Sequence, residues 1–585
     1  VLRVDQSFLH LAQQQQQQQQ GRAATAAQQR QTATTTTSSL PLCIEFYQTM
    51  PELEKSLSEQ HIEVHQSGEE ADTVATNLDT SITRASYWDN KKILAVSLFI
   101  NLSTLEYGID QGTVNGFQAM PGFLAVFGYA DPALPGGYGI TTEVQQLITS
   151  LVSLGMLIAV LTVGYSTYYI GRKGGIWVSC VLMIISVTIQ ITTVTIGGLY
   201  AGRFILGLAN GYLILCGQLY MQECIPAHLR SFNYTLYQVW VALGSLLGAI
   251  INNSTSVRPD RTSYQIPLTI NYVGTAILGL GLFALPESPR LLYSKGKKEQ
   301  AYKSLRWLRD SSYTDMQVEE ELAEIAYGVE TDLQITKDVG FFDIFKRQNL
   351  KRTMTSAGLC CLTTACGGQF IFQYGTYFFL LSGDTDPFRS IVILLTVGLV
   401  GGLVTPLFSG RVGKRPILIT GSIFMALCML GMAMSYSIRG IDKTSGKVIK
   451  AMSMIFMFFY GSTISPFNFQ VAVEIPSQPL RGHTFAFGSC LTFLFGWLLV
   501  FTAPYFVNPT ALNWGAQYGY WWVPANFIAA IFVFFCVPET NKRTLEEIDE
   551  CYNEKVPIRK FAQHKCVGTQ QARQAAAIRH KNTAA

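Results

Sequence analysis

Two carboxylates stand inside an apolar run of this chain, in Glu106-Tyr107-Gly108-Ile109-Asp110-Gln111-Gly112. A charged carboxylate there is costly unless it faces a cavity, takes up a proton or meets a cation. The chemistry open to Asp110 is therefore proton binding or ion pairing, and Arg203, in the apolar run near residues 199–222, is a cation to pair with. Glu106 lies one helical turn before Asp110 and shares its face. It reads as a second cavity acid, as a residue near the lipid interface or as a locally paired one.

A second group of charged residues occurs twice. Glu223-Cys-Ile-Pro-Ala-His-Leu-Arg230 recurs as Glu474-Ile-Pro-Ser-Gln-Pro-Leu-Arg481, each following an apolar run. Gly171-Arg172-Lys173 is echoed by Gly413-Lys414-Arg415, and Pro286-Glu287-Ser288 by Pro538-Glu539-Thr540, in the same order. Charges at the ends of apolar segments make and break pairs as those segments move, so Glu223, Arg230, Glu474, Arg481, Arg172 and Arg415 read as a gate. A long internal repeat of this kind suits two halves that rock around a central site.

The elements that carry these residues are membrane spans. Only 14% of residues are charged, 49% are apolar and 12% are aromatic, which leaves much of the chain with no water-facing side. A spanning helix needs about 20 apolar residues, and roughly twelve such runs are present. The first six fall near 93–117, 143–168, 174–197, 199–222, 232–252 and 266–285, and the rest centre near 365, 395, 425, 460, 493 and 528. The expected fold is an all-α membrane protein with twelve transmembrane helices in two six-helix bundles. Residues 91–285 and 353–537 form the bundles, and 286–352 a helical linker carrying amphipathic patterns at 299–309 and 318–326. Residues 1–90, with the Gln13–Gln20 tract, read as a disordered tail, and 538–585 as a second tail.

Lys and Arg set orientation. The stretch from Gln118 to Gln146 has neither, whereas 286–352 has many, so both termini are expected to be cytoplasmic. The loop near 437–450, with Arg439, Lys443, Lys447 and Lys450, runs against this trend. The twelve cysteines read as small packing residues, and no Cys/His spacing points to a metal site. Asn252-Asn253-Ser254-Thr255 offers overlapping glycosylation sequons on the outer face.

Over about 93–550 the chain resembles the sugar porter family of the major facilitator superfamily, with the flavour of fungal members. The resemblance rests on Gly202-Arg203 with Gly207 and Gly211, Tyr220-Met-Gln-Glu223 with Pro226 and Arg230, Pro286-Glu-Ser-Pro-Arg290, Tyr374-Gly-Thr376 and Pro538-Glu-Thr-Asn-Lys-Arg-Thr-Leu-Glu-Glu-Ile548. It implies alternating-access transport of a sugar or related polyhydroxylated solute, with no covalent reaction and no cofactor. Asp110 and Arg203 occupy the positions that proton-coupled relatives use for coupling, the alternative being a static ion pair between helices 1 and 4. Gln238 matches a sugar-contacting glutamine, and Tyr107 and Phe469 are placed to stack on a sugar ring.

Departures from the family pattern bear on substrate and state. Thr363 and Thr364 stand where sugar carriers usually show tandem glutamines, Gln369 at the usual asparagine, Phe469 at the usual tryptophan and Ser465 at a glycine. Threonine has a shorter reach and one hydroxyl, which puts unmodified glucose recognition in doubt. Tyr168 and Gly410 replace acids that normally precede the Gly-Arg-Arg/Lys loops. The expected partners are a small solute, protons and the lipid bilayer, with no nucleic acid, for a monomer in the plasma membrane. An uncoupled facilitator, or a non-transporting sensor that uses the Gln-rich tail, are the alternatives.

Overall fold

A computed structural model describes residues 91–132, 137–226, 229–309, 313–338, 340–384, 386–409, 411–440, 442–541, 543, 545–564 and 566. They belong to one contact-connected unit, Arg84–Ala572; the other unit, Val1–Thr83 with Arg573–Ala585, lies outside the described residues, as do Gly410 and both distal tails. Eleven continuous helices among the described residues are long and apolar enough to cross a membrane. Spans 1 to 6 are Lys91–Phe117, Thr142–Ile170, Arg172–Thr192, Ile196–Cys224, Arg230–Thr255 and Thr262–Leu282. Spans 8 to 12 are Pro387–Ser409, Lys414–Arg439, Lys443–Glu474, Arg481–Val507 and Gly519–Cys536.

Span 7 completes the twelve and is broken into Arg347–Ala365 and Gly368–Leu381. The break sits at Gly367, whose φ of 86° is a left-handed conformation that glycine alone adopts cheaply. A side chain at Gly367 would also meet Trp522, and one at Gly368 would meet Tyr460. The broken helix therefore lies close against spans 10 and 12. Span 10 is continuous but takes a π turn at Tyr460–Ile464, just before Pro466, whose missing N–H interrupts the regular ladder.

Spans 1–6 and 7–12 each bury their own apolar core, with Ala249 and Tyr377 as buried members of the opposite one and Leu246, Leu381 and Phe388 also packed across. Outward-facing Leu161, Leu280 and Ile528 are 65%, 71% and 65% exposed, an apolar exterior that water would not tolerate and lipid does. Between the halves lie helices Pro289–Ser294, Lys298–Leu308 and Asp315–Asp338. They mark the linker end of the molecule, and the opposite end is its far end. Lys443 opens span 10 directly, which places Lys447 and Lys450 in helix rather than loop.

Small residues draw the helices of each half together. On span 1, a side chain at Gly108 or Gly112 would strike the span 5 backbone at Val241 or Ser245. On span 5, one at Gly244 or Gly248 would strike the span 1 backbone at Leu105 or Ile109. The two Gly-x-x-x-Gly faces are reciprocal. Asn252 continues this seam, being 2% exposed and donating from Nδ2 to Gly112 O at 3.0 Å and Thr113 O at 2.9 Å. The sequon reading of Asn252 is corrected accordingly: its amide is committed inside the fold, while Asn253 is exposed.

Candidate functional site

The apolar cores leave a polar seam at mid-span. Asp110 and Arg203 are both fully buried, with Asp110 Oδ1 3.9 Å from Arg203 Nη1. Asn210 Nδ2 donates to Asp110 Oδ2 at 2.8 Å. Arg203 has further contacts, Nε donating to Ile148 O of span 2 at 3.0 Å and the same Nη1 donating to Gln190 Oε1 of span 3 at 3.5 Å, and its guanidinium lies 5.4 Å from the Phe117 ring, while Nη2 is buried without a hydrogen-bond partner. The ion pair is long and the arginine is held without it. That arrangement lets the carboxylate change its charge without releasing the arginine into apolar surroundings. Asn210 is two helical turns from Arg203 on the same face, a spacing legible in the sequence but not singled out there. Glu106 is buried against span 6 and accepts a hydrogen bond from Thr275.

The sugar-facing positions expected from the resemblance fall on both halves. Tyr107, Gln238, Thr363, Gln369 and Phe469 are partly exposed, and Thr364 is buried. Gln238 reaches across the halves, its Oε1 accepting from the Ser465 hydroxyl at 3.4 Å. Thr363 turns to its own helix and donates to Cys360 O at 3.1 Å. Phe469 packs edge-on against Phe485, ring centroids 6.2 Å apart. Beside it, Asn468 is fully buried with neither amide atom hydrogen-bonded.

At the linker end, the repeated motifs build the same object twice. Glu287 accepts from the Lys173 backbone N–H at 3.2 Å, and Glu539 from the backbone N–H groups of Lys414 and Arg415 at 3.0 and 3.2 Å. Each carboxylate caps the start of a span, where free N–H groups and the helix dipole favour an anion. Gly171 and Gly413 admit it, since a side chain at either would collide with the Glu287 or Glu539 carboxylate. Arg172 then pairs with Glu223 at 2.8 Å, and Glu223 also accepts from Ser288.

In the second half the partner of Glu474 is Lys414, at 2.6 Å, rather than Arg415. Arg415 instead donates to Phe534 O, as Lys173 donates to Leu285 O at 2.8 Å in the first half. Position after the glycine decides the role, and matching arginine to arginine across the repeat does not. Arg481 opens span 11, and Arg230 opens span 5, its side chain lying outside the described residues. Tyr168 is exposed, with Lys295 Nζ 5.9 Å from its ring centroid and donating to Tyr169 O at 3.2 Å. Lys414→Met is expected to lower the thermal midpoint of the purified protein more than Arg415→Met, because it leaves the partly buried Glu474 without its cation. Equal shifts in thermal unfolding would refute this assignment.

The far end holds contacts between the halves that the sequence did not point to. Gln373 Nε2 donates to Gln111 Oε1 at 2.6 Å, and Asn115 Oδ1 accepts from the Thr376 backbone N–H at 2.7 Å. Tyr374 is hydrogen-bonded to Thr149 and donates to Val500 O at 2.7 Å. Asn508 donates to Gln145 Oε1 at 3.2 Å and to Ile140 O at 3.3 Å. These bonds join spans 1 and 2 to spans 7 and 11. The pairs Arg172–Glu223 and Lys414–Glu474 each stay within one half.

Comparison with known proteins places this architecture. The family model described as "Sugar (and other) transporter" matches residues 96–552. The chain is 31% identical over 476 residues to the major facilitator-type transporter ecdD of Aspergillus rugulosus, covering 79% of this chain and 87% of that protein. It is 29% identical over 470 residues to the probable glucose transporter rco-3 of Neurospora crassa, covering 78% and 79%. Its fold matches the inward-open xylose transporter XylE from E. coli with a TM-score of 0.64, at 18% identity, covering 78% of this chain and 99% of that one. With twelve spans in two repeated halves and a family match across nearly all of them, the chain belongs to the sugar (and other) transporter family of the major facilitator superfamily.

Proposed function

We propose that this chain carries a sugar or related polyhydroxylated solute across the plasma membrane by alternating access, as a proton symporter with its linker end in the cytoplasm. The observation that carries the coupling is the fully buried Asp110, held by Asn210 and only loosely by Arg203. Family membership supports the solute class, as does similarity to a relative named a probable glucose transporter. In this reading, Asp110 takes a proton from the outer side, solute binds between Gln238, Gln369 and span 10, and proton loss on the inner side resets the ion pair. The far-end bonds hold the outer side shut, and the ionic clusters, each confined to its own half, let the cytoplasmic side part.

The test is uptake and proton flux in proteoliposomes offered hexoses, pentoses, disaccharides, polyols and organic acids. Solute-dependent proton entry is the expected result. Uptake with no proton movement identifies a facilitator, and solute binding without uptake identifies a sensor.

A second expectation concerns substrate choice. Thr363 offers a short side chain already engaged with its own helix, so solute hydroxyls that glutamines would meet are left unpaired. An unpaired hydroxyl in a dry site costs roughly 1–3 kcal/mol, about one to two decades of affinity. Glucose is expected to bind more weakly than the preferred solute, and Thr363→Gln with Thr364→Gln to narrow the gap. Tight glucose binding by the unmodified protein, measured by calorimetry, would contradict this.

A further inference from the structure

We propose that Cys551 and Cys566 are a redox-modified pair, closed into a disulfide by a peroxide and reopened by a thiol reductant. Both lie beyond span 12, outside the membrane spans, with Sγ atoms 3.6 Å apart. They are buried in a small cluster of their own with Phe561, Tyr552 and Val556. A disulfide needs about 2.0 Å between sulfurs, a gap that small side-chain rotations close.

Arg543 makes this more than thiol packing. Its Nη1 lies 3.4 Å from Cys551 Sγ and 3.3 Å from Cys566 Sγ, and its Nη2 is anchored on His564 O at 2.6 Å. A fixed guanidinium against both sulfurs repels a metal cation and stands where negative charge passes through the sulfur that attacks a peroxide. Burial first, then the neighbouring Cys566, pushes the Cys551 thiol up to about 12, and Cys551 is fully buried whereas Cys566 is 5% exposed. Cys566 is therefore the sulfur that a peroxide reaches and that attacks it first.

The steps balance. The Cys566 sulfur displaces one oxygen of hydrogen peroxide, giving a sulfenic acid and water, so sulfur loses two electrons and the O–O bond gains them. The Cys551 sulfur then displaces the hydroxyl from Cys566, which leaves as a second water with the Cys551 proton, and the S–S bond forms. On the cytoplasmic side proposed above, such a bond is transient and suits sensing.

The closed loop bears on the transporter itself. Arg352, in the first turns of span 7, donates to Asp549 and to Asn553 Oδ1 at 3.2 Å and lies 4.4 Å from the Tyr552 ring. Cys551 sits among these contacts. Stapling it to Cys566 fixes the surface on which the start of span 7 docks.

The test uses the full-length chain in detergent. It is treated with hydrogen peroxide, its remaining thiols are capped with maleimide, and its peptides are mapped by mass spectrometry. The expected result is joint loss of two thiols, a Cys551–Cys566 cross-linked peptide, and recovery with dithiothreitol. Trypsin cleavage after the exposed Lys555 and Arg559 is expected to slow by roughly tenfold in the oxidised form, since a closed loop opens less often. Arg543→Met is expected to slow cross-linking several-fold, by about the loss of one stabilising cation. Free thiols at both positions after treatment, or over-oxidation of one without a cross-link, would overturn the proposal and leave a packing pair. Should a variant fail to elute as a monodisperse peak, the peptide map of the unmodified chain alone decides.

Discussion

Asp110→Asn is expected to abolish accumulation of solute against its gradient while leaving exchange across the membrane intact. The substitution keeps the shape of the carboxyl and one acceptor for Asn210 but cannot bind or release a proton at this site. If proton transfer at Asp110 drives accumulation, the steady-state ratio of internal to external solute falls to about one and no longer responds to an imposed pH gradient. Removing one partner of a buried ion pair typically costs about 3–5 kcal/mol. The cost here belongs at the low end, because the pair is long and Arg203 keeps Ile148 O and Gln190. Folded protein therefore remains for assay. Counterflow with labelled solute reports the exchange, and a pH-jump uptake assay reports the accumulation. Undiminished pH-driven accumulation in the mutant would remove Asp110 from the coupling mechanism.

Asp110 was legible in the sequence because a charge inside an apolar run has few inexpensive explanations, and Arg203 because its span places it at a matching depth. The twelve spans were legible for the same reason. Span 7 was harder: its break at Gly367 divides it into two pieces, neither of which forms one long apolar helix. The Lys414–Glu474 pair was hidden by residue type, since Arg415 looked like the counterpart of Arg172 until Gly413 set the register. The far-end bonds escaped because Gln111, Asn115, Gln373 and Asn508 are neutral and pair only when the halves meet. Gln111 and Asn115 do share one helical face, and that spacing was the available signal. Asn252 shows the converse error, where a short motif pointed to the surface and the side chain went to a helix seam.

Gly112→Val, and still more its combination with Gly244→Val, is expected to prevent the first half from folding. A Cβ at Gly112 would lie 2.2 Å from Ser245 O, and one at Gly244 would lie 2.1 Å from Leu105 O. Both obstacles are backbone, so no rotamer change relieves them and the spans must separate. Overpacking a core usually costs about 1–3 kcal/mol because side chains shift. Two helices in contact along reciprocal glycine faces have no such freedom, and the cost of each substitution belongs above that range. Asp110 lies between Gly108 and Gly112, so any displacement of span 1 also moves the carboxylate from Asn210 and Arg203 on span 4. Gly164→Ala provides the contrast, because nothing lies within 4 Å of its Cβ position on span 2. Within a helix that change is expected to be neutral or to stabilise by up to about 1 kcal/mol. Fluorescence-detected size exclusion with thermal challenge distinguishes the cases: Gly112→Val should lose the monodisperse peak and Gly164→Ala should keep it. A Gly112→Val protein as stable as the unmodified chain would mean that spans 1 and 5 do not meet along this seam.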